Sequence, residues 1–125
     1  MKSERWDLVF LLLSGLWGFV GVTLLAAGSH ADPRLGSAGL MLLFHAAVTI
    51  ALVQSTFMSP TFKLNTLLLL VVGSGIFAAD ICSRVMRGAP LLPQLAPTGG
   101  VLTMLGWLGI SLAAGLKLFA KPRAE

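Results

Sequence analysis

Few side chains in this sequence could do chemistry, and those that could stand inside apolar runs. His45 follows Leu42-Leu43-Phe44, with Thr49 one turn further on, and Asp80 follows Phe77-Ala78-Ala79, with Arg84 at i+4. An ionisable group at membrane depth is costly to keep and marks a pathway, a relay or a fixed internal pair. On one helix Asp80 and Arg84 face the same side. The guanidinium can then neutralise the carboxylate while its long stem carries the charge outward. The competing arrangement is a hydrogen bond between His45 and Asp80 across two neighbouring helices, a titrating pair suited to proton relay, quinone contact or helix registry. His30 and His45 invite a haem reading, since two imidazoles can ligate one iron, but their spacing matches no haem motif. Cys82 is the single cysteine, which excludes an intrachain disulfide and cysteine-based zinc spacings. It reads as a small apolar filler. No Ser/His/Asp grouping, phosphate loop or carboxylate pair appears. The expectation is a protein that is not an enzyme and uses no cofactor and no metal.

The elements that hold these residues follow from composition. Of 125 residues, 56% are hydrophobic and 11% charged, and the mean hydropathy is +0.89. A soluble domain carries about 25% charged residues. So small a chain could not hide this much apolar surface in one water-facing core. Crossing the hydrocarbon takes about 20 mostly apolar residues, and four runs qualify, at residues 8–28, 36–57, 64–85 and 98–120. Irregular backbone is excluded in lipid by its unpaired amides, and the runs lack the alternation of barrel strands. The expected fold is all-α: a polytopic membrane protein with an antiparallel bundle of four transmembrane helices, forming a single domain over 1–125.

The connections are short around Pro33 and Pro60, so consecutive helices should be antiparallel neighbours. The third connection, from Arg87 to Pro97, holds three prolines and should be an extended, stiff segment. Lys2 and Arg5 before the first run give it the start of a signal peptide, but about 21 apolar residues exceed the 7–15 of a signal core, which favours a retained helix. Six basic residues (Lys2, Arg5, Lys63, Lys117, Lys121, Arg123) fall on the side of the termini and three (Arg34, Arg84, Arg87) on the other. The positive-inside rule then places both termini in the cytoplasm. The net charge of +4 fits topology signals and anionic lipid head groups. Without a basic stripe interleaved with aromatics, nucleic acid is not a partner.

Helices in lipid associate by close approach, which small residues permit. The expected packing positions are Ser14 and Gly18 on the first helix, with Val22 continuing the stripe and Gly15 and Gly21 beside it. Gly75 and Ala79 serve on the third, and Gly106, Trp107, Gly109 and Ala113 on the fourth. These stripes serve intrachain packing, and their number leaves room for a contact with partner subunits or for self-association.

Gly28-Ser29-His30, Phe44-His45-Ala46, Gly75-Ile76-Phe77 and Pro97-Thr98-Gly99-Gly100 with Gly106-Trp107 stand in an order that resembles the YgdD-like family of small inner-membrane proteins, to which no reaction is assigned. Gly28-Ser29-His30 resembles its Gly-Ala-His signature, Phe44-His45-Ala46 its Tyr-His-Ala element, and Gly75-Ile76-Phe77 the start of its Phe-Ser-Gly-Ser stretch. Pro97-Thr98-Gly99-Gly100 followed by Gly106-Trp107 resembles Pro-Ile-Gly-Gly followed by Gly-Trp at the same separation. The chain departs from the pattern at Asp80, where the family has a small polar residue, at Ala96 and Thr98, and in having no tyrosine. It looks like a divergent member. The resemblance implies four helices in an inner membrane and gathers Gly28, His30, Pro97, Thr98, Gly99 and Gly100 on the outer side. That cluster reads as a structural knot closing the bundle, or as a small pocket for a ligand or lipid between helix ends.

The functional expectation is a non-catalytic accessory or stabilising subunit of a larger membrane complex. A small oligomeric transporter or channel using Asp80 and His45 is the rival, and a quinone- or haem-binding redox subunit a third class. The glutamate that small multidrug exporters carry in their first helix is absent, as is the asparagine and paired-phenylalanine pattern of fluoride channels.

Overall fold

The computed structural model describes residues 2–122, and Arg123, counted above for orientation, lies outside them. The described residues form four helices: α1 (Lys2–His30), α2 (Pro33–Gln54), α3 (Pro60–Arg87) and α4 (Leu95–Phe119). All four are long and apolar enough to cross a membrane, and the chain reads as a multi-pass membrane protein. Every helix begins earlier than its apolar run. Hydropathy marks the lipid-facing stretch, whereas the backbone hydrogen bonds of a helix continue beyond it into the polar flanks.

The caps are visible. Asp32 precedes Pro33 at the first helical position of α2 and accepts the Arg34 amide at 2.9 Å, satisfying one of the donors a helix start leaves free. Its carboxylate also takes the Arg34 guanidinium at 2.8 Å, and that bond holds the Asp32 carboxyl below the usual carboxylate range. At the far end of α2, Lys63 reaches back from the first turn of α3 and donates to the carbonyls of Val53 (3.2 Å) and Ser55 (2.7 Å). α3 ends on Gly88, whose φ of 70° lies in the left-handed region that favours glycine.

α2 and α3 pack on each other and form the interior; α1 lies against α2 and α4 against α3. α1 touches α3 lightly, and among the described residues no backbone approach joins α4 to α1 or α2. The helices therefore form an open layered bundle rather than a closed ring. Close approach occurs where neither chain has a side chain. A Cβ added to Gly21 would lie 2.9 Å from the Gly39 carbonyl oxygen, and one on Gly28 would fall inside van der Waals distance of the Gly36 backbone. Between α3 and α4, Gly99 meets the backbone of Gly73 and Phe77, Gly106 meets Leu70, and Gly109 meets Thr66.

Two apolar clusters fill the interior. One joins Phe10, Leu52, Val53, Met58, Leu67, Leu70, Val71 and Ala113; the other joins Ala38, Leu42 and Ala78. Two expected packing positions require correction. Gly18 has nothing within 4 Å of where its Cβ would be, because α1 uses Ser14, Gly21 and Gly28. Seven-residue steps drift about −20° around a helix, while the four-residue step to Gly18 turns about +40° the other way. On α3 the buried line runs Leu67, Val71, Ser74, Ala78, which leaves the neighbouring Ala79 exposed.

Among the described residues, one backbone position carries strain. Gln94 caps the start of α4 with φ 63° and makes no side-chain cap bond. The left-handed region disfavours any residue with a Cβ. Gln94→Gly is expected to stabilise the fold by about 0.5–1 kcal/mol, read as a raised unfolding midpoint in detergent. A lowered midpoint would mean that the glutamine side chain contributes more than its backbone costs.

Candidate functional site

The two ionisable residues singled out by the sequence, His45 and Asp80, are each tied to an internal partner. His45 is 6% exposed on α2. Its Nδ1 lies 2.7 Å from the Met41 carbonyl one turn earlier. A carbonyl only accepts, so the proton is assigned to Nδ1 and Nε2 is left with a lone pair. That lone pair accepts the Trp107 indole N–H at 3.2 Å. The neutral Nδ1–H tautomer fits both contacts, whereas an imidazolium would turn an N–H toward the indole N–H. Edge-on packing of the two rings, with centroids 6.1 Å apart, and Phe44 at similar distances from both complete the group. This bridge is how α2 reaches α4.

The pair is testable. Trp107→Phe removes the donor and leaves His45 Nε2 buried without a partner, an expected cost of about 1–2 kcal/mol. In a double-mutant cycle with His45→Leu the two losses should not add. Strict additivity of the unfolding free energies in micelles would show the contact to be worth nothing.

Asp80 is fully buried on α3. Its Oδ2 accepts Arg84 Nε at 2.9 Å, and its Oδ1 accepts the Leu91 amide at 2.9 Å. On the same face, Ser83 donates through Oγ to the Ala89 carbonyl at 2.8 Å. The carboxylate thus latches residues 88–94 down onto the end of α3. The i+4 pair expected from the sequence is formed. The His45–Asp80 bond is not, because both side chains spend their hydrogen-bonding atoms elsewhere.

Between the two apolar clusters lies a polar level. Trp17 of α1 donates to the Val71 carbonyl (3.2 Å) and to Ser74 Oγ (3.1 Å) of α3, and its ring occupies the space that a Cβ on Gly75 would need. Ser14 and Thr49 are buried with no hydrogen-bond partner for their hydroxyls among the described residues.

The residues grouped by the family resemblance do not gather. Gly28 serves the α1–α2 contact and Gly99 the α3–α4 contact, while Gly100 faces open space. His30, Pro97 and Thr98 are exposed, and Thr98 Oγ1 donates to the Gln94 carbonyl at 2.7 Å. With α1 and α4 apart, the structure forms two local helix contacts in place of one knot or shared pocket. The haem pairing fails as well. His30 ends α1 near the α1–α2 turn, whereas His45 lies nine residues beyond Gly36, about 13 Å deeper along α2, with both nitrogens engaged.

Sequence reasoning missed Trp17, Lys63, Ser83 and Leu91. A tryptophan in mid-span carries one signal, since its buried N–H needs an acceptor. The Leu91 amide carries none, because a backbone group is invisible in a sequence. No family model matches the chain, and no solved structure matches it.

Proposed function

We propose that this protein is a non-catalytic component of the bacterial inner membrane, an accessory or stabilising subunit of a larger membrane assembly, and a divergent YgdD-like chain. The reading rests on one observation: the two ionisable side chains buried within the spans, His45 and Asp80, are each consumed by internal partners. A transporter or relay needs a group that can exchange its partner during the cycle, and a redox subunit needs a free ligand or a quinone contact.

Two further observations agree with this reading. Gly28 opposes Gly36 while Gly21 opposes Gly39, so numbers rise along one helix as they fall along the other. This supports an antiparallel order, and with it both termini on the cytoplasmic side by the positive-inside rule. Gly15 and Gly18 on α1 and Gly100 on α4 have open space where a Cβ would stand, which lets a neighbouring helix approach as closely as α2 approaches α1.

Gentle detergent extraction of the full chain, followed by mass spectrometry of co-purifying proteins, tests the proposal. Stoichiometric recovery of other membrane chains is expected. A pure homo-oligomer that carries pH-dependent flux in liposomes would overturn it in favour of a transporter.

A further inference from the structure

At the end of the bundle that holds the start of α1, a cavity carries chemistry that the buried pairs do not. α1 has 29 residues, about 43 Å at 1.5 Å per residue. The hydrocarbon core is about 30 Å thick, so the first turns of α1 stand at the level of the head groups. There α1, the α2–α3 turn and the first turn of α3 enclose a cavity of about 390 Å³, within the size range of small-molecule sites.

Its floor and its rim differ in kind. Phe10, Met58 and Leu67 line the floor, and each is less than 10% exposed. The rim carries Lys2 and Lys63 against one acid, Asp7, with Trp6 beside them. An ammonium has three N–H donors. Lys63 spends two on the carbonyls of Val53 and Ser55, which holds its nitrogen in place and, among the described residues, leaves the third unspent. The start of α3 lies beside the rim through Pro60 and Thr61, and Ser59 makes no side-chain cap bond there, so the positive end of the helix dipole is not offset by a capping side chain.

We infer that this cavity binds the head group of an anionic phospholipid, its phosphate held between Lys63 and Lys2 and its glycerol end over the apolar floor. Excess positive charge, a pre-positioned ammonium donor and an aromatic at head-group depth all match that ligand. A free phosphate shares the charge but has no use for the floor. The inference is independent of whether other chains join the protein.

The test uses the full-length protein, stripped of lipid in a neutral detergent, with native mass spectrometry counting bound molecules. Phosphatidylglycerol is expected to bind one per chain, phosphatidylcholine roughly tenfold more weakly, and millimolar inorganic phosphate should not displace the lipid. Lys2 is exposed and makes no hydrogen bond or ion pair among the described residues, so Lys2→Glu should weaken phosphatidylglycerol binding roughly tenfold without moving the unfolding midpoint. Lys117→Glu makes the same charge change on α4, outside the cavity, and should leave binding unaltered. Equal loss in Lys2→Glu and Lys117→Glu would reduce the effect to general surface charge and overturn the site. Equal retention of phosphatidylcholine, or displacement by inorganic phosphate, would also overturn it.

Discussion

Asp80→Ala is expected to lower the ratio of folded to unfolded protein about a hundredfold. The carboxylate is fully buried and neutralises Arg84, whose side chain is 39% exposed. Removing one partner of a buried ion pair is costly because the other charge is left uncompensated. Arg84 can turn partly toward water, which keeps the loss below that of a wholly enclosed pair. The alanine also abandons the Leu91 amide, and the 88–94 segment loses its anchor to α3. The readout is a denaturation midpoint in mixed micelles, together with the rate of proteolysis within residues 88–94, which should rise. Asp80→Asn keeps an oxygen for Leu91 and should lose about tenfold, with the segment still protected. An alanine variant as stable and as resistant to protease as the parent would mean that the latch carries no weight.

Valine at Gly28 or Gly99 is expected to cost about 2–3 kcal/mol at either position. At Gly99 the added Cβ would stand 2.6 Å from the Gly73 carbonyl oxygen and 2.7 Å from the Phe77 nitrogen. At Gly28 it would press on the Gly36 backbone. Backbone atoms cannot rotate aside, so the helices must separate and lose packing along their length. Gly18→Ala and Gly100→Ala meet nothing within 4 Å and should not destabilise the isolated chain, since alanine inside a helix gains about 0.5–1 kcal/mol over glycine. Thermal unfolding of the four variants in one detergent checks the contrast. The outer pair has a second use: if Gly18→Leu leaves the isolated chain folded but abolishes recovery of co-purifying proteins, the open face of α1 is where a partner docks.

Hydropathy and spacing made the helix number legible because lipid imposes a simple rule, some twenty apolar residues per crossing with every amide bonded inside its own helix. The Asp80–Arg84 pair was legible for a similar reason: i and i+4 are neighbours on any helix, whatever surrounds it. Gly106, Gly109 and Ala113 were legible as packing positions, since they share one face of α4.

Other assignments needed the third dimension. Gly18 and Gly21 are equally small, and only the rotation of α1 against α2 selects Gly21. His45 could have turned to Asp80 or to Trp107. The choice depended on which atoms were already committed, and the Leu91 amide that engages Asp80 belongs to a loop whose course no side-chain pattern encodes. Local periodicity and hydrophobicity act within one helix and can be read along the chain. The rotation of each helix, and therefore the partner of each buried polar group, is set by backbone contacts between residues far apart in sequence. That is why the sequence determined four crossings and one intrahelical ion pair, and the tertiary structure decided what His45, Trp17 and Lys63 hold together.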